Sequence, residues 1–164
     1  MGENEKTPKK SKSWQYEKIT YILGKWAWVF AILSAIVNLL IAIWGVVAAI
    51  QVYQYWVQYY ASYSLTYPGS LIISYYDIWN IITSIILIIF ALLILRPRFS
   101  NKCAQKDWDY LLNDVLLIGS FRLPWMFIWV IIAEILGQWW GGAFIIVPAI
   151  LLVFFGPKEY KWKK

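Results

Sequence analysis

The chain has 164 residues, 61% of them hydrophobic, with 15 Lys and Arg against 9 Asp and Glu and no histidine. Soluble domains run at ~45–50% apolar, so this composition excludes an ordinary water-soluble globule. The single cysteine, Cys103, rules out an intrachain disulfide, and the lack of histidine removes the commonest ligand of zinc and haem, so neither a metal nor a cofactor is expected. In a soluble protein the +6 charge would raise the question of nucleic acid, but here the charges gather at the ends of apolar segments. There they act as topology signals and headgroup contacts. The expected partners are the bilayer and its anionic lipid headgroups, with no nucleic acid.

Residues 1–18 carry Lys6, Lys9, Lys10, Lys12 and Lys18 around Pro8 and are too poor in apolar side chains to fold alone. They read as a disordered basic tail ahead of a membrane domain at residues 19–157. The first apolar run, residues 26–50, holds no charge over 25 residues, more than the ~20 needed to cross a hydrocarbon core. It is also longer than the ~7–15 residues of a signal-peptide core, which makes it an uncleaved signal-anchor. Along it Ala31, Ala35, Asn38, Ala42, Gly45 and Ala49 recur at spacings of four and three. Small residues on one stripe let a neighbouring backbone come close.

Residues 51–69 hold seven aromatics and no charge, the composition of a belt at the headgroup level. Gln51, Gln54 and Gln58 share a helical face with part of that belt. Pro68-Gly69 signals a turn, and a second span is expected at residues 71–95, stopping at Arg96-Pro97-Arg98. Asp77, Asn80, Ser84, Leu87 and Ala91 repeat the spacing of the first stripe. Consecutive antiparallel spans with matching stripes are each other's simplest partners, so Asn38 is expected to hydrogen-bond Thr83 or Ser84.

From residue 107 to 119, apolar residues recur at Trp108, Leu111, Leu112, Val115, Leu116 and Gly119 with Asp109, Asn113 and Asp114 opposite. This predicts an amphipathic helix lying in the interface. Two further apolar segments, residues 121–137 and 139–155, are joined through Gly141-Gly142 and are 17 residues each. That length is at the lower edge of the spanning range, so they either cross in full or form a re-entrant hairpin. Residues 158–164 make a basic tail. The fold expected is an all-α membrane protein with four transmembrane helices, the last two short, and one interfacial helix.

Fourteen of the fifteen positive charges lie before residue 26, between 96 and 106, or after 157. The positive-inside rule then places both termini in the cytoplasm and the chain in the cell membrane. Glu134 among isoleucines and Asp77 on the second span come to a similar depth if both segments cross. Such a pair would share a proton or hold a cation. Arg122 lies near the inner end of the third segment, where its guanidinium reaches lipid phosphate by snorkelling. Pro148 breaks one hydrogen bond in the fourth segment.

No motif identifies a reaction. The small-residue seams and aromatic anchors point to a non-enzymatic structural or interaction component that packs with itself or with a larger membrane complex. The alternative is a small oligomeric transporter or channel for protons, cations or small solutes that uses Asp77 and Glu134.

Overall fold

The computed structural model describes residues 14–137 and 141–163. Residues 1–13, 138–140 and 164 lie outside that range. The described chain is mostly helical. Helix α1, Glu17–Ser62, is 46 residues, about 69 Å at 1.5 Å per residue. A second long helix runs over Tyr75–Ala104, 30 residues. It is built from α2 (Tyr75–Phe90), a π-helical segment (Ala91–Ser100) and α3 (Asn101–Ala104). Both are long and apolar enough to cross a membrane.

The second helix does not stop at Leu95 as expected. It carries Pro97 in its interior, and the wider π-turn removes the clash between the proline ring and the carbonyl one turn back. The wider turn appears in the bond from Asn101 N–H to the Arg96 carbonyl, five residues back. Packing supplies the reason to continue: Leu95, Phe99, Ser100 and Cys103 are all buried. Gly24 of α1 leaves room for Cys103, since an added Cβ there would lie 2.4 Å from its Sγ. The Trp28 N–H donates to Ser100 Oγ at 3.4 Å, and farther along Gly45 sits against Asp77. These three contacts set one antiparallel register over the length of the pair.

Residues 107–119 form a shorter helix than expected. Helix α4, Trp108–Asn113, is capped by Asp107, whose carboxylate accepts from the Tyr110 N–H. Beyond it the aliphatic run becomes strand β1, Val115–Ile118, paired antiparallel with β2, Phe121–Pro124. The two-residue turn has Gly119 at φ +62°, a left-handed conformation that glycine adopts without strain. The Trp125 N–H closes the base on the Asp114 carbonyl at 2.9 Å. A hairpin thus replaces the second half of the interfacial helix and takes the first four residues of the expected third span.

Two short helices complete the fold: α5, Trp125–Gly137, and α6, Ala143–Phe155, 13 residues each. Each is about 20 Å long, short of a ~30 Å hydrocarbon core. Among the described residues the chain therefore has two helices of spanning length, not four. Pro148 lies inside α6, fully buried.

The short pair packs beside one part of α1 only. At its base Phe155 meets Tyr16 with ring centroids 5.5 Å apart, and one turn below the tip Phe144 stacks on Phe30 at 3.6 Å. At the tip the Gly137 carbonyl reaches Ser34 and Asn38. Beyond Asn38, α1 runs on for 24 residues to Ser62, about 36 Å. The core lies where all four helices meet, around Ala27, Ala31, Ala35, Leu87, Ala91, Leu95, Phe99, Trp129, Ala149 and Leu152.

Residues 158–163, expected to be a basic tail, fold back along the hairpin. The Arg122 N–H donates to the Trp162 carbonyl at 2.8 Å, and Phe121 and Lys163 form an antiparallel bridge. The Trp162 ring stacks on Phe121 at 5.5 Å and lies 4.9 Å from Tyr160. Aromatic packing and backbone pairing together hold this stretch, which its charge alone would leave in solvent.

Candidate functional site

Two places in the molecule gather polar side chains: the middle of the long helices and the basic end. At the first, Ala31, Ala35, Ala42, Ser84 and Ala91 are fully buried and Asn80 nearly so, while Asn38, Gly45 and Ala49 are half-buried. The seam is occupied within one chain, by the second long helix and, at Asn38, by the end of α5.

Asn38 does not bond to that helix. Its Nδ2 donates to the Gly137 carbonyl at 3.1 Å, and Ser34 Oγ donates to the same oxygen at 3.3 Å. The expected partner Thr83 turns its hydroxyl back to the carbonyls of Trp79 and Asn80, at 3.0 and 3.4 Å. The physical reason lies in Gly137 being the last residue of α5. Its carbonyl has no partner inside the helix, so an outside donor satisfies it. Ser34 was absent from the seam read in the sequence, although its place one turn from Asn38 puts it on the same face.

Asp77 and Glu134 are not brought together. Asp77 lies against Gly45, and Glu134 against Gly142 at the start of α6. Gly137 touches Leu87, and Trp129 packs on Phe99 with centroids 6.2 Å apart, so α5 runs antiparallel to the second helix and Glu134 falls below Leu87. Ten residues separate Leu87 from Asp77, and the two acids are therefore roughly 20 Å apart along the helix axis. The equal depth expected for them required a third segment that crosses in full. Among the described residues no three of His, Cys, Asp and Glu come close enough to hold a metal ion. Asn80 Oδ1 and Ser84 Oγ are buried without a partner among those residues.

At the far end of α1, the aromatic belt makes the last turns of the helix. Tyr55, Trp56, Tyr59 and Tyr63 are exposed. Tyr67 folds back between Tyr53 and Tyr60, with centroids 5.8 and 5.3 Å away. A cavity of about 300 Å³ lies between helix and loop, lined by Ala49, Val52, Tyr53, Trp56, Tyr67 and Ile72. No charged side chain enters it.

The opposite end is basic. Lys106 pairs with Glu17 at 2.8 Å, Lys102 with Asp107 at 3.0 Å and Lys158 with Asp109 at 2.6 Å. Arg96 lies over the Trp28 ring, 4.8 Å from its centroid. Helix α4, strand β2 and the folded-back tail border an open cavity of about 200 Å³ lined by Asp109, Asn113, Arg122, Lys158, Tyr160 and Lys161, among others. The Tyr160 hydroxyl donates to the Arg122 carbonyl at 2.9 Å. Burial pushes its pKa above the usual tyrosine range, and the nearby Arg122 charge opposes that rise. Cys103 is fully buried at this end, under Gly24.

Compared with known proteins, the chain matches no family model, no curated sequence and no solved structure.

Proposed function

We propose that this chain is a multi-pass protein of the cell membrane, with its basic end in the cytoplasm, that acts as a non-enzymatic interaction component of a larger assembly. In this reading the two long helices cross the bilayer, and α5–α6 is a re-entrant hairpin entering from the cytoplasmic side. Support for the hairpin comes from its tip, which bonds to Asn38 halfway along the charge-free run of residues 26–50. Non-helical backbone at that depth is tolerated where protein buries it, and Gly137, Gly141 and Gly142 are all buried. The concentration of Lys and Arg at one end supports the orientation.

The observation that carries the interaction role is the step left where the hairpin stops. Among the described residues, α1 beyond Asn38 has only the second helix and the loop beside it, and Leu40 and Trp44 are 62% and 73% exposed. The small-residue seam is already used within the chain, so a partner's helix docks on this large-residue face. The transport alternative loses support, because its two acids lie far apart along the axis.

Photo-crosslinking side chains placed at Leu40 and Trp44 in the native membrane test this. Discrete protein adducts identified by mass analysis are expected from both positions and not from a control at Ile131 on the hairpin. Recovery of free monomer alone from Leu40 and Trp44 overturns the interaction role.

A further inference from the structure

The cavity at the basic end has an unused charge. Three cations line it, Arg122, Lys158 and Lys161, against two carboxylates, Asp109 and Glu159. Asp109 is already taken by Lys158 at 2.6 Å. Among the described residues the Arg122 side chain has only a neutral partner, Asn113 Oδ1, at 3.5 Å. A guanidinium presents five N–H donors in a planar fork that matches a phosphate, so most of this fork is unused among the described residues. The backbone of Arg122 is held on both sides, by the Trp162 carbonyl and the Tyr160 hydroxyl. The fork is thus carried on a fixed strand.

The cavity connects to an apolar group through Tyr160, which lines it and whose ring lies 4.9 Å from that of Trp162. Leu117, Ile118 and Phe121 at the hairpin tip are exposed, as are Phe154 and Phe155 at the end of α6. Trp162 joins the two groups, with ring centroids 5.5 Å from Phe121 and 6.0 Å from Phe154. A soluble phosphate compound has no use for such a rim. A phospholipid does, because its acyl chains must lie on apolar surface while its phosphate meets the cation.

We propose that the cavity between α4, β2 and the folded-back tail binds the phosphate of an anionic membrane lipid through Arg122, with Lys161 as a second cation and the Phe121–Trp162–Phe154 rim against its chains. This rests on the membrane placement proposed above. Sequence position alone suggested a snorkelling arginine that any lipid could meet. The folded tail turns it into one side of a bounded site.

The test is native mass spectrometry of the full chain released from bilayers of mixed phosphatidylglycerol and phosphatidylcholine. The parent protein is expected to retain phosphatidylglycerol in preference. In Arg122→Gln that retention falls about tenfold with loss of the charge-assisted fork, and Arg122→Lys restores only part of it. Lys161→Gln changes an exposed side chain, so it keeps the fold while lowering retention about fivefold, the effect of ~1 kcal/mol per surface cation. Millimolar inorganic phosphate leaves the retained lipid in place. Unchanged retention in both Arg122→Gln and Lys161→Gln overturns the site, and so does full displacement by inorganic phosphate, which would make a soluble phosphate the ligand. Alkaline carbonate extraction of the same membranes separates the two proposals. A chain that washes off overturns the membrane placement, whereas one that stays but holds no anionic lipid overturns only the cavity.

Discussion

The long helix pair and the short hairpin are built on different principles. The long pair is held by shape: alanines and glycines of α1 meet Leu87, Ala91, Leu95, Phe99 and Cys103 along the seam, and near its basic end the Trp28 N–H adds a weak hydrogen bond to Ser100 Oγ. The hairpin is held at points: two donors on one carbonyl at its tip, buried glycines where α5 meets α6, and aromatic pairs lower down. A long apolar seam can lose a contact and keep its register. A short element fixed at a few points depends on each of them.

The sharpest way to break this contrast is Gly141→Val. An added Cβ there would sit 2.4 Å from the Ala133 carbonyl oxygen, and backbone cannot step aside as a side-chain end can. A loss of about 3 kcal/mol, the upper part of the usual overpacking range, is expected in thermal melts in detergent. Melting at the parent temperature would show that the hairpin is looser than described.

Gly24→Val makes the matching change in the long pair. It drives a side chain into Cys103, whose Sγ would lie 2.4 Å from the new Cβ. A smaller loss of about 1–2 kcal/mol is expected, because the rest of the seam holds and Cys103 can shift. The reporter is Cys103 itself: buried in the parent, it should react faster with a maleimide in the variant. An unchanged labelling rate would place the end of α3 away from α1.

Asn38→Ala removes one of the two donors to Gly137, and about 0.6 kcal/mol is expected from the average for polar pairs within membranes. With Ser34→Ala added, the carbonyl loses both donors, and the double variant should cost more than the two single changes together. Strict additivity would mean that the donors do not share an acceptor.

The smallest effect concerns pH at the folded-back tail. Tyr160 is held neutral more firmly in the fold than in the unfolded chain. Its contribution is full below the ordinary tyrosine pKa of about 10 and falls away as the pH rises through and beyond it. Hydrogen exchange over residues 158–163 should therefore quicken above that pH in the parent and lose this step in Tyr160→Phe.

Parts of this architecture can be read directly from the residues. The charge-free run at 26–50, the alanine stripe and the glycine pair at 141–142 are local signals, and each marks a feature of the fold. The β-hairpin was legible too, since Val115 to Ile118 is an aliphatic run followed by a Gly-Ser pair suited to a tight turn. It was masked because apolar residues continue the helical spacing from Trp108 through Val115 and Leu116, so periodicity favoured a helix. Pro97 misled in the other direction. A local breaker was overridden because Phe99 and Cys103 bury themselves against α1.

What the sequence determined by itself is the presence of two long apolar helices and the gathering of basic residues at one end, because hydrophobicity and charge are properties of residues and need no partner. Where the second pair of helices stops was decided only in three dimensions. The hairpin Val115–Pro124 takes residues from the third segment, and the free carbonyl of Gly137 then finds Asn38 and Ser34. That encounter separates Asp77 from Glu134. The pocket around Arg122 likewise exists only because the basic tail returns to pair with its strand.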